Sequence, residues 1–172
     1  MDFSDTLKQL QSKYLINNSS FELEHERTKL LYIDMIKQVK PDYFVTLTFA
    51  YDVSEYTAIV ALKALIWHVN KQVYRRNVKD ENNRLTILPF IETSTSSQLH
   101  FHLLVKQPNS RPNANLCKIF RQKWQSINIH GFATFKRDEW FKKIDDLDGI
   151  AKYITKQIYG DSRPLVVECL NY

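Results

Sequence analysis

The chain has 172 residues, of which 44% are hydrophobic and 25% charged, and it carries a net charge of +5. That is the size of one ordinary domain, long enough to bury a core without covalent staples. The composition argues against a disulfide scaffold, because Cys117 and Cys169 are the only cysteines, and against a membrane protein, because no apolar run approaches the roughly 20 residues a span needs.

Two isolated thiols and an N-terminus without a basic start and apolar core fit a cytoplasmic protein. The positive charge is unevenly placed. Residues 1–40 hold six basic and six acidic side chains, whereas residues 41–172 hold eighteen and thirteen. The clusters Lys71/Arg75/Arg76/Lys79, Lys118/Arg121/Lys123 and Lys136/Arg137/Lys142/Lys143 could track phosphates, although such runs are more often solvated helix faces. Basicity permits a nucleic-acid partner without requiring one.

Taken in chain order, Phe3, Leu7, Leu10 and Tyr14 recur at helical spacing until Asn17-Asn18-Ser19-Ser20 interrupts them. Ser19 with Glu22 makes a capping box for a second helix to about Val39, which Pro41 ends. Residues 1–40 therefore read as a helical extension, and residues 41–172 as the main domain. From Tyr43 the period becomes two: Tyr43, Val45, Leu47 and Phe49 alternate with Phe44, Thr46 and Thr48, a half-buried strand. Ser54 caps the next helix, whose inward stripe is Ile59, Leu62, Ile66, Val69 and Val73.

Residues 85–92 and 99–105 read as an antiparallel strand pair, with Pro89 at an edge or a bulge. A helix turns Leu116, Ile119, Phe120, Trp124 and Ile127 inward. The pattern then predicts a strand over 131–140, a helix over 145–159 ended by Gly160, and a last strand over 165–170. The order implies an α+β fold with a central antiparallel sheet of about five strands and helices mainly on one face.

The chemistry concentrates in Leu99-His100-Phe101-His102-Leu103. Alternate residues of a strand share a face, so the apolar side chains point into the core and the two imidazoles point together to the other side. Glu92 lies on the polar face of the preceding strand, and a hairpin returns it beside His100 and His102. Two imidazoles and a carboxylate, with open positions, suit a divalent ion that also binds a phosphate oxygen. Taken alone, a His-x-His strand is more often two functionless surface histidines.

Gly149-Ile150-Ala151-Lys152-Tyr153-Ile154-Thr155-Lys156 is a second candidate. On a helix, Tyr153 flanks the stripe of Ile150, Ile154 and Ile158, with Lys156 three residues on and on the same surface. A lysine there could favour the phenolate or steady charge on a phosphoryl group, as a phenol is a poor nucleophile at its ordinary pKa near 10. Tyr159 also lies three residues from Lys156 and is an alternative nucleophile. Thr46 and Thr48 offer small hydroxyls on the histidine face that could contact phosphate or sugar, and Lys152 is a further DNA-binding candidate.

In this order, Tyr43-Phe-Val-Thr-Leu-Thr-Phe49, His100-Phe101-His102 and Tyr153-Ile-Thr-Lys156 resemble the three motifs of the HUH endonuclease superfamily. The chain looks most like its single-tyrosine rolling-circle replication initiators, the Rep proteins of plasmids and single-stranded DNA viruses. The resemblance covers about residues 43–160.

It implies Mn²⁺ or Mg²⁺ on His100, His102 and Glu92, and Tyr153 attacking a scissile phosphate in single-stranded DNA at a replication origin. The product would be a 5′-phosphotyrosine link and a free 3′-hydroxyl, with host helicase and polymerase as partners and no membrane. Tyr153 and Tyr159 are six residues apart, not the four usual in two-tyrosine relatives, which argues for one nucleophile. No Gly-x-x-x-x-Gly-Lys-Ser/Thr loop is present, so the expectation is a minimal initiator or a nuclease domain alone.

A transposase or relaxase of the same superfamily is the sister reading. A non-catalytic nucleic-acid-binding module, with Phe44, His100 and His102 stacking bases, is the reading from another class.

Overall fold

The computed structural model describes residues 21–80, 83–93, 98–127, 140–156 and 164–170. Its elements are α1 (Phe21–Val39), β1 (Tyr43–Thr48), α2 (Glu55–Tyr74) running into a 3-10 turn (Arg75–Lys79), β2 (Ile87–Thr93), β3 (Leu99–Val105), α3 (Leu116–Ser126), β4 (Phe141–Lys143), α4 (Leu147–Thr155) and a second 3-10 turn (Val167–Cys169). The expected helix at the N-terminus, the strand over 131–139 and the end of the last helix, including Tyr159 and Gly160, lie outside the described residues.

The architecture is α+β. The sheet has four antiparallel strands in the order β2-β3-β1-β4, so the expectation of about five is corrected to four among the described residues. The strand expected over 165–170 is a single bridge, Leu165 to Phe90, followed by the Val167–Cys169 turn. Its apolar residues are consumed by core contacts: Val166 and Cys169 are buried in the main cluster.

Pro89 occupies an edge strand, as expected. Its carbonyl accepts the Val166 N–H at 2.9 Å, so the side on which proline lacks a donor faces away from β3.

Chain contacts divide the protein into two units, Met1–Lys40 with Asp145–Pro164, and Pro41–Ile144 with Leu165–Tyr172. In the second unit one sheet face is apolar: Val45, Leu47, Phe101, Leu103 and Val105 are fully buried and join the stripes of α2 and α3 in one cluster. Ser54 caps α2 by accepting the Thr57 N–H at 3.2 Å. From the predicted stripe Leu62, Ile66, Val69 and Val73 are buried, joined by Ala58, Ala61 and Leu65. Trp124 of α3 is buried and donates from Nε1 to the Thr48 carbonyl at 3.2 Å, which fixes the end of β1 where the polar face begins. In the first unit, α1 and α4 pack together and are joined by Lys37–Asp148 at 2.8 Å.

Candidate metal centre

The centre is written by strand register. β1 and β2 flank β3, and Thr46 and Phe90 lie opposite His102, while Thr48 and Glu92 lie opposite His100. Cross-strand partners share a face, so the side of the sheet away from α2 and α3 carries three rows across the strands. The first is apolar, with Leu88 and Leu104 both fully buried. The second holds Phe90, His102 and Thr46; the third holds Glu92, His100 and Thr48. Polarity rises along the face toward the 94–97 connection, and the donors stand at that end.

Glu92, His100 and His102 offer three ligand atoms that all lie within 4.8 Å of one another. Both imidazole Nε2 atoms converge on one carboxylate oxygen: Glu92 Oε2 is 2.9 Å from His102 Nε2 and 3.5 Å from His100 Nε2. Neighbouring donors around an octahedral ion at about 2.1 Å lie about 3 Å apart, so this spacing fits a divalent ion. The nitrogen–oxygen donor set is one that Mn²⁺ or Mg²⁺ accepts. The cluster is capable of chelating a divalent cation.

The two histidines differ in their setting. The His102 side chain is 6% exposed and that of His100 16%. His102 is held from three directions: by Glu92, by Thr46 Oγ1 at 3.2 Å from Nδ1, and by the Phe44 ring stacked at 4.9 Å. His100 sits edge-on to it, with centroids 4.9 Å apart at 86°. A His102 that ligates through Nε2 carries its proton on Nδ1, and Thr46 is the acceptor that fixes this tautomer.

Neither support is legible in the sequence. Strand parity offers Thr46 to DNA and Phe44 to base stacking, and only the β1–β3 register shows both of them meeting His102. Thr48 shares the face, opposite His100.

Tyr153 belongs to the other unit. Asp146 caps α4 by accepting the Gly149 N–H at 2.9 Å. Ala151, Ile154 and Thr155 face inward, while Tyr153 is 42% exposed. The Lys156 ammonium lies 3.8 Å from the Tyr153 ring centroid, over the π-face of the ring, where it is attracted by the ring quadrupole. Lys152 is exposed one residue earlier. Lys37 beside Asp148 holds that carboxyl below its ordinary value, by hydrogen bond first and by charge second, with Lys152 adding to the effect.

No helix among the described residues is long and apolar enough to cross a membrane. No curated protein and no solved structure matches the chain. Residues 42–158 do match a family model, that of the replication-associated protein ORF2 and its relatives. The matched span holds all four strands, the three residues of the cluster and Tyr153, and the chain is a member of this replication-associated, HUH-type family.

Proposed function

We propose that the protein nicks and rejoins single-stranded DNA at a replication origin, with Tyr153 as the nucleophile and a divalent ion held by Glu92, His100 and His102. The observation that carries this reading is the convergence of three donor side chains on one sheet face within a chain of a replication-associated family.

When bound, Mn²⁺ or Mg²⁺ would polarise a phosphate oxygen and offset the charge that builds on the phosphoryl group. The chain's own residues do the rest. Thr46 and Phe44 hold His102 in one tautomer and one orientation, and Glu92 keeps both imidazoles turned toward a common point.

The Tyr153 oxygen attacks the phosphorus of the phosphate that the cluster binds. The new bond is a 5′-phosphotyrosine ester, the bond to the 3′-oxygen breaks, and the departing oxygen takes a proton to become a 3′-hydroxyl. One phosphodiester replaces another, so no external energy source is required and rejoining is the same step reversed. Lys156, and less directly Lys152, place positive charge near the phenol and the strand. Thr46 and Thr48 remain candidate contacts to phosphate or sugar at the polar end of the sheet. The released 3′-hydroxyl would prime synthesis by a host polymerase behind a host helicase, in the cytoplasm, on a plasmid, phage or viral replicon.

The test is a denaturing gel of the full chain incubated with labelled single strands from candidate origins. A slower, nuclease-trimmed protein band that requires Mn²⁺ or Mg²⁺ is expected. A chain that binds metal yet forms no adduct with any such strand overturns the reading. A strict requirement for hairpin ends, with no preference for an origin, would assign the same chemistry to a transposase.

A further inference from the structure

A second charged feature lies in the sheet unit on the side away from the cluster. The outer surface of α2, the 3-10 turn that follows it and one residue of α3 enclose a groove of about 620 Å³. Its walls carry Lys71, Arg75, Arg76, Lys79 and Lys123, with Trp67 among them and no carboxylate. None of these five cations is ion-paired among the described residues, in contrast to Lys63, which meets Glu168 at 3.0 Å. Five unneutralised charges around one concavity repel one another, and the arrangement is relieved by a polyanion.

Two further observations point to the occupant. Trp67 is 39% exposed on this groove, whereas Trp124 and Trp140 are buried at 1% and 6%. An indole left half in water among cations is a stacking platform for an unpaired base. The backbone at Arg75 has φ 55 and ψ −119, a conformation that costs a non-glycine residue of order 1–3 kcal/mol. That residue sits where α2 gives way to the 3-10 turn, and the bend carries Arg76 and Lys79 onto the same concavity as Lys71.

We infer that this groove is a second nucleic-acid site, which holds the phosphates of a single strand with one base stacked on Trp67. The α2 stripe is buried against the apolar sheet face, so the groove and the His100/His102 face lie on opposite sides of the sheet. A strand occupying both must pass around an edge, and only long strands gain from the second site. The choice of a single strand as occupant rests on the proposed function, but the binding measurement does not.

The experiment titrates the full chain with short and long oligonucleotides of the same origin, following Trp emission and affinity at several salt concentrations. Wild type should show quenched emission that Trp67→Phe abolishes. The Lys71→Gln/Arg76→Gln/Lys79→Gln triple variant should bind the long strand at least about tenfold more weakly, with a salt slope lowered by ~0.7 for each phosphate no longer neutralised.

Adduct formation on a short strand should be unchanged in both variants. All the substituted side chains are exposed, and a thermal melt confirms the fold. An unchanged long-strand affinity in the triple variant, or emission that ignores DNA, overturns the inference, as does equal or tighter binding of duplex. Loss of adduct in wild type with the Trp67 response intact would overturn the nicking reading and leave this site standing.

Discussion

The metal cluster and Tyr153 carry the two halves of the proposed chemistry, and the protein holds them by different means. Glu92, His100 and His102 stand on neighbouring strands of a hydrogen-bonded sheet, where the register sets every cross-strand neighbour. His102 is buried, with a partner on each ring nitrogen and an aromatic on its face. Tyr153 projects from a nine-residue helix, 42% exposed, with Lys156 over its ring. A rigid acceptor of charge is built into the fold, while the nucleophile is placed by one helix and its cap. Defects in the first should register in metal affinity and stability together; defects in the second should register in chemistry alone.

The largest expected effect comes from Tyr153→Phe, which removes the attacking oxygen and little else. Covalent adduct should fall by at least about three orders of magnitude, the scale seen when a nucleophile is deleted. The exposed ring keeps its packing, so the melting temperature and metal affinity should not move. Tyr159→Phe should retain the adduct. The reverse pattern, with adduct lost in Tyr159→Phe and kept in Tyr153→Phe, would transfer the role.

The two histidines should separate from each other. His100→Ala and His102→Ala both remove a donor and should both abolish calorimetric binding of Mn²⁺. Only His102→Ala should also cost stability without metal, by about 1–3 kcal/mol, because it strands the Glu92 carboxylate in a partly buried site. Equal urea midpoints for the two variants would contradict the asymmetry in their burial.

The same difference explains what can be read from the sequence. The period of two in 99–105 and the polar placement of Glu92 give the shared face directly, because a strand's faces are fixed by parity. Ser54 and Pro89 are legible for local reasons: a cap accepts from the next turn, and proline lacks a donor. Parity cannot say which strand lies beside which. The β1–β3 pairing that brings Thr46 and Phe44 onto His102 is a long-range choice, so their supporting positions are not legible.

The last strand fails because residues 165–170 are apolar at spacing that suits a turn packed on α2 as well as a strand. Cys169 shows the result: buried beside Val166, its thiol is pushed up to about 11 by desolvation.

Thr46→Val tests the support behind His102. It keeps the β-branched shape and removes only the acceptor at Nδ1, so metal affinity should fall by about 10–100-fold, as when other metal-bound histidines lose the partner of their free ring nitrogen. Adduct formation should return at saturating metal, which separates a positioning role from direct contact with DNA. If the variant binds Mn²⁺ normally but loses affinity for DNA, Thr46 is a DNA contact instead.

The smallest effect should come from the other side of the comparison. Lys37 and Asp148 join α1 to the helix of Tyr153 at 2.8 Å. Each holds the other's charge: the Asp148 carboxyl is lowered from 3.8 and the Lys37 ammonium raised from 10.5. A lowered carboxyl stabilises the fold above its unfolded value and loses that contribution as pH falls through the folded one. A raised ammonium stabilises below its unfolded value and loses its contribution as pH rises through the folded value.

The pair therefore acts between those limits, and both partners are solvent-exposed, so the contribution is small and screened by salt. Asp148→Asn should lower the melting temperature slightly at neutral pH and low salt. The gap from wild type should close below pH 3.8 and in about 1 M salt, where the Debye length is near 3 Å. A gap that survives high salt would mean that the helix bearing Tyr153 depends on this contact for packing as well as charge, and would bring the two halves of the chemistry closer in kind.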